Sequence, residues 1–382
     1  MERIKILRRM TGKQDWSQRD GSDPAFYYTY FNNRFSGSND LSYVSAVDYN
    51  EEKEKERYNM RKLIIDTDTG SDDAVALMLA LLEESVEVLG ITTVCGNVPQ
   101  MLATKNALMT VELCSKEVPV YPGADRPLFR DLVTAVRVHG DDGMGDCDLI
   151  HPTRAAEKKH AVNYILDTVR QYPGEIEIVT LGPLTNVALA ILQDREAMKG
   201  VKHIYTMGTS GFGPGNTTPV ACFNVYVDAD SFRVLLGAGI PLTIIGFDQC
   251  IGESALHKED LEKLASLNRL GRFAADCNRT LLQYNLQRTG EYMVDLPDAV
   301  AMAVALWDDI ALERVNVHAY CCTADEVTYG QVIFYDRYDF LSVQHEVPPD
   351  NAEVVRKVDA ALYKRRLLQA LEGRQLRSCV QQ

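Results

Sequence analysis

The sequence predicts an α/β fold, an open and mostly parallel sheet with helices on both faces and a helical C-terminal part. Two observations carry this. From Arg61 onward, short β-rich apolar runs alternate with longer helical stretches, the order of a sheet wound on both sides. The polar clusters then fall just after the strand runs, so they share the carboxyl-terminal edge, where ligands of open α/β folds bind.

Strands are expected at residues 62–65, 88–94, 175–180, 203–206 and 242–245. Helices are expected between them, at about 72–84, 99–115, 155–172, 184–198 and 229–237. After Asp260 the strands are expected to stop, with helices through Asn285 and again over residues 297–307. Residues 1–60 read differently: aromatics without aliphatic periodicity, then the charge run "EEKEKER". They are expected to form a disordered or loosely packed extension, with 61–375 as a single α/β domain.

Bulk composition narrows the class. The chain has 382 residues, 46% hydrophobic and 25% charged, ordinary for a globular protein with a sizeable core. A net charge of −14 argues against nucleic-acid binding, which needs a basic face. No apolar run reaches membrane-spanning length, since Glu83-Glu84 interrupts "AVALMLALL". Nine cysteines, without CxxC pairs or a signal peptide, read as reduced thiols of a cytoplasmic protein.

The stretch "IIDTDTGSDDA" puts Asp66, Asp68, Asp72 and Asp73 into eight residues at a strand end. Like charges this close repel and resist burial. A helix N-terminus accounts for Asp72 and Asp73 but leaves two over. An EF-hand loop fails, because its fifth position is Gly70 and its twelfth Leu77. A haloacid-dehalogenase-like phosphatase, with Asp66 as nucleophile and Asp68 as acid, and a hard cation held for catalysis both remain open on this motif alone.

Further motifs lie downstream: "VCGN" (94–97), "VHGDDGMGD" (138–146), "VTLGPLTNVALA" (179–190), "GNTTPVACFNVYVDAD" (215–230) and "LPDAVAMAVAL" (296–306). With "DTDTGSDDAVAL", this ordered set resembles the inosine–uridine preferring nucleoside hydrolase family, over nearly all of the chain from about 62 to 310. The phosphatase reading has no comparable support, for no lysine sits in an obvious rim motif.

The resemblance implies a Rossmann-like nucleoside hydrolase fold, a role in purine or pyrimidine salvage, and hydrolysis of ribonucleosides to base and ribose. It implies one Ca²⁺, held by Asp68, Asp73 and Asp298 and by the backbone carbonyl of Leu181, with Asp66 bracing the loop. Asp68 is the implied base for the attacking water. Asp72, Asn97, Asn216 and Asn224 are implied to bind ribose, with Met207 on the same rim. His139 is implied to lie near base or ribose in a loop that closes over the pocket. Taken singly, each asparagine also reads as a turn residue. A homodimer or homotetramer is implied as well.

Two positions depart from the pattern. Cys222 stands where many members have a glutamate for the 5′ end of ribose, and a thiol is a weak hydrogen-bond partner. Pro297 stands where many have a histidine that protonates the leaving base. Leaving-group activation then falls to other residues, with Tyr284, Arg279, Gln287 and Tyr292 as candidates. A catalytically weak nucleoside- or ribose-binding relative is the alternative these departures raise.

Overall fold

The structure, a computed structural model, describes residues 60–335 and 348–373. The extension expected at 1–60 lies outside the described residues except for Met60. The main sheet has nine strands: β1 (Arg61–Thr67), β2 (Val86–Thr93), β3 (Val120–Pro122), β4 (Ile176–Thr180), β5 (His203–Met207), β6 (Leu242–Ile245), then β9 (Ala311–Cys321), β10 (Val332–Tyr335) and β11 (Ala352–Val358). Their spatial order is β10-β9-β11-β6-β5-β4-β1-β2-β3. A separate antiparallel pair joins β7 (Leu256–His257) to β8 (Met293–Val294).

All pairings from β3 across to β11 are parallel. Side chains alternate across the pleat, and both faces are buried. On β1, Leu63 and Ile65 enter one core while Ile64 enters the other. The first core is covered by helices Ser71–Leu82, Gln100–Leu113, Pro297–Leu306 and Ala360–Glu372. The second is covered by Ala161–Gln171, Thr185–Gln193 and Ala229–Leu236. This is why the strand runs read as continuously apolar rather than alternating.

The expected strands are present with small shifts of their ends. Two helices differ. The one expected from 155 begins at Ala161, where the His160 side chain accepts from the Val162 amide. The one expected over 184–198 breaks at Asp194, whose carboxylate caps a second short helix, Arg195–Met198.

The expectation that strands stop after Asp260 is corrected in one respect. Residues 258–306 are mainly helical, but β9, β10 and β11 follow and complete the sheet. β9 pairs antiparallel with both β10 and β11, and Glu313, Tyr320 and Leu312 are exposed along it. A strand that is wet on one side mixes polar with apolar residues, so it lacks the apolar run that marks β1, β2 and β4 to β6; the short edge strand β3 was not expected either.

Two helices decide the site. Ser71–Leu82 is buried from Ser71 through Leu81 and packs against Pro297–Leu306. The alanines of "PDAVAMAVAL" allow that close approach. Pro297 stands at the first turn, where its missing N–H costs nothing. The two helices bring Asp72, Asp73 and Asp298 to the rim in their first turns, where each helix dipole favours a carboxylate by about 0.3–1 kcal/mol.

Candidate active site

The site grows out of the end of β1. Asp66, its last residue but one, is buried and tied to the neighbouring elements by Thr92 Oγ1 at 2.5 Å and Asn186 Nδ2 at 2.8 Å, both donating to Oδ1. Asn186 also donates to the Thr93 carbonyl at 3.0 Å and accepts from the Ala124 amide at 2.9 Å. Burial pushes the Asp66 carboxyl up to about 7, against the two hydrogen bonds. Asp66 thus braces the rim.

Asp68 follows, with no exposed surface. Its Oδ2 accepts the Asn97 backbone N–H at 2.6 Å, whereas Oδ1 is buried without a hydrogen-bond partner. Two glycines let the backbone approach this carboxylate. A Cβ on Gly96 would stand 2.0 Å from Asp68 Oδ2, and one on Gly182 would stand 2.5 Å from Oδ1.

Asp73 is held by three donors: Thr67 Oγ1 at 2.5 Å, the Gly70 amide at 2.8 Å and Asn97 Nδ2 at 3.0 Å. Asp72, Asp73 and Asp298 each offer an oxygen within 4.8 Å of the other two, and all three are buried. Burial raises every one of these carboxyls and that of Asp68, and repulsion adds to it: from Asp73 and Asp72 on Asp68, from Asp72 on Asp73, and from Asp72, Asp73 and Asp68 on Asp298. Of the three, Asp298 is pushed well above the ordinary carboxylate range, by burial first and then by the charges of Asp72 and Asp73.

The donor set fits a hard divalent cation. It is all oxygen and fully buried. Asp68 Oδ1 and Asp72 Oδ1 are both left without a hydrogen-bond partner, and a charge of +2 would offset the repulsion. The trio contains Asp72, which was expected to bind ribose, and not Asp68, which was expected among the ligands.

The remaining residues divide. Leu181, just after β4, presents its carbonyl to the Asn224 amide, which also lies 3.2 Å from the Met207 carbonyl and 3.3 Å from the Met207 sulfur. Leu181, Met207 and Asn224 are therefore together. Cys222 is buried at the start of the same short helix, Phe223–Val227, and burial pushes its thiol up to about 11. Asn216 is half-buried, its carbonyl accepting the Phe223 amide at 2.9 Å, so the side chain fastens this turn.

His139 is buried, with Nδ1 2.9 Å from Ser71 Oγ and 3.6 Å from Asp72 Oδ1. Burial lowers its pKa to about 4 despite Asp73 and Asp295. The imidazole is neutral near pH 7.

Helix Arg279–Thr289 packs on the His139 segment. Tyr284 is half-buried on it, with the Arg288 guanidinium 5.6 Å from the ring centre. Arg279 and Tyr292 line a cleft of about 230 Å³ whose walls include Leu261, Ala265 and Val294 and none of the four carboxylates. The structure does not bring those two to the carboxylates. Sequence reasoning missed Thr67, Ser71, Asn106 and Asn186. Thr67 carried a signal, standing between Asp66 and Asp68; the asparagines sit inside helices with nothing local to mark them.

Comparison with known proteins supplies the family. The profile of the family described as inosine-uridine preferring nucleoside hydrolase matches residues 63–365. An uncharacterised protein of Schizosaccharomyces pombe is 37% identical over 302 residues, 78% of this chain and 94% of that protein. Uridine nucleosidase 1 of Arabidopsis thaliana is 36% identical over 268 residues, 68% of this chain and 80% of the relative. The solved structure of a plant nucleoside hydrolase, PpNRh1, superposes with a TM-score of 0.74 at 28% identity, covering 82% of this chain and 99% of the other.

A carboxylate-lined rim at the end of β1, inside a chain matched across the profile from 63 to 365, leads to one conclusion: the protein belongs to the inosine–uridine preferring nucleoside hydrolase family and is an N-glycosidase that hydrolyses ribonucleosides to free base and ribose.

Proposed function

We propose that this hydrolysis depends on one Ca²⁺ at the buried carboxylates, with Asp68 as the base toward the attacking water. The observation that carries the reading is Asp68 Oδ1, a buried carboxylate oxygen without a partner beside Asp72, Asp73 and Asp298. Asp68, Asp73, Asp298 and the Leu181 carbonyl would hold the ion, and Asp72 stands near enough to join them. When bound, calcium supplies a site that orients and polarises water and ribose hydroxyls.

The chain's own residues do the rest. Asp68 accepts the proton of the attacking water. The neighbouring carboxylates favour the positive charge that develops on the sugar ring. Asp72, Asn97 and Asn224 address the ribose hydroxyls, and such buried polar groups make the site demanding about ribose. Asn216, already engaged with Phe223, acts toward the 5′ end by shaping the turn that carries Cys222. His139, neutral, covers the pocket from the glycine-rich loop, and Tyr284 lies on the base side. Pro297, lacking any N–H, contributes no proton to the leaving base.

Residues 61–375 form the working unit, in a cytoplasmic protein that assembles as a homodimer or homotetramer. The unpaired cysteines among the described residues support a reducing compartment. No helix among the described residues is long and apolar enough to cross a membrane.

The test is incubation with uridine, inosine and 2′-deoxyuridine, measuring free sugar. Release from the ribonucleosides, with 2′-deoxyuridine much poorer, supports the reading. Binding without turnover favours the weak-relative alternative instead.

A further inference from the structure

Asn106 is a fully buried polar residue within helix Gln100–Leu113. Asparagine is a weak helix former, and its burial needs partners. It has two on one atom: Nδ2 donates to the Thr69 carbonyl at 3.0 Å and to the Asp142 carbonyl at 3.0 Å. Its Oδ1 is buried and accepts nothing. With two carbonyl acceptors facing the same atom, that atom must be the nitrogen, so the amide has one orientation.

The two carbonyls belong to two different working loops. Thr69 lies between Asp68 and Gly70, in the turn that carries the carboxylates. Asp142 lies three residues beyond His139, in a loop closed by Gly145 N–H to the His139 carbonyl at 2.8 Å and Gly143 N–H to the Gly140 carbonyl at 3.1 Å. That loop approaches Asn106 only because residue 143 has no side chain. Gly143 has φ +75°, and a Cβ there would stand 3.0 Å from Asn106 Nδ2 and 2.7 Å from a Val98 methyl. The Ser71 hydroxyl gives the imidazole a further contact with the carboxylate turn.

We propose that Asn106 is a positioning residue: one amide nitrogen ties the carboxylate turn to the His139 loop and fixes where the imidazole stands over the ribonucleoside. This rests on the reading that His139 faces substrate. Asn106 touches no reacting atom. It acts by holding two backbones at one distance, so that a loop with glycines at 140, 143 and 145 does not carry His139 away from the site. Both interactions exist before and during the reaction, so their loss raises KM more than it lowers kcat.

The test is a double-mutant cycle in the full chain with uridine, using Asn106→Leu, His139→Ala and the double variant, each checked for a cooperative melt. Asn106→Ser replaces Asn106→Leu if the latter does not fold. The expected result is about a tenfold rise in KM for Asn106→Leu with kcat within about threefold. In the His139→Ala background the same substitution should change kcat/KM by less than about twofold, because residues acting as one unit are not additive. An unchanged KM in Asn106→Leu, or additive losses, overturns the proposal while leaving the His139 reading intact. A His139→Ala variant with wild-type KM overturns that reading, and the proposal with it.

Discussion

The Asn97 backbone amide donates to Asp68 Oδ2 at 2.6 Å, while Oδ1 of the same carboxylate has no hydrogen-bond partner. One oxygen is therefore spent on orientation and the other is left for chemistry. Asp68→Asn keeps the Asn97 bond and removes the base, so kcat for uridine should fall by about 10²–10⁴-fold. Burial disfavours the ionised form of Asp68, so the metal-free variant should melt no lower than the metal-free wild type. Calorimetry and single-turnover kinetics on the same preparation check both.

The glycines around Asp68 give a steric prediction. In Gly182→Ala the new methyl would meet Asp68 Oδ1 at 2.5 Å and Cγ at 2.7 Å, so the carboxylate must shift. Displacement of a reacting group by about 1 Å costs about 10²-fold, so kcat/KM should fall by that order with the far-ultraviolet spectrum unchanged. Gly237→Ala, whose methyl meets nothing nearer than 3.7 Å, is the control and should retain wild-type kinetics.

Cys222 should be chemically inert in the folded protein. It is 1% exposed, and burial pushes the thiol up to about 11, so almost no thiolate exists at pH 8. Iodoacetamide should leave Cys222 unmodified by peptide mass analysis until denaturant is added. A native-state adduct at Cys222 accompanied by loss of activity would favour a nucleophilic role.

At the opposite end of β1, Glu177 is nearly buried between Arg61 and Lys202, which lies 2.9 Å away. Arg61 also reaches the Ala305 carbonyl at 2.7 Å, at the end of helix Pro297–Leu306, which carries Asp298 in its first turn. Burial alone would raise the Glu177 carboxyl, but the two cations outweigh it and hold it below its ordinary 4.5. A depressed acid contributes stability that is full above its unfolded value and is lost as pH falls through the lower folded value. Glu177→Gln should therefore lower the unfolding free energy at pH 7, by about 1–3 kcal/mol given the partial exposure of both cations. The gap should close as pH drops below about 4. A gap of constant size from pH 7 to pH 3 would refute the assignment.

Much of the fold was readable from sequence because strands β1, β2 and β4 to β6 stand out as largely buried apolar runs, whereas the three-residue edge strand β3 does not. β9 and β11 did not stand out: both are interior strands, but exposed and half-buried polar residues alternate with apolar ones along them. The carboxylate floor was readable because Asp66, Asp68, Asp72 and Asp73 are adjacent in the chain, and adjacency makes their repulsion evident. Asp298 required the resemblance, since nothing near "LPDAV" shows that its helix packs against Ser71–Leu82. Asn106 and Asn186 stayed hidden because their partners lie 36 or more residues away. Arg279 and Tyr292 were near in sequence to a helix on the pocket, yet they line a different cleft.

The central claim is that buried carboxylates hold a calcium ion without which ribonucleosides are not cleaved. Its most direct test follows free ribose from uridine in protein stripped with chelator, then titrated with calcium. The account predicts no ribose after stripping and full recovery at about one calcium per chain, with no recovery in Asp298→Asn. Undiminished ribose release in excess chelator would contradict it.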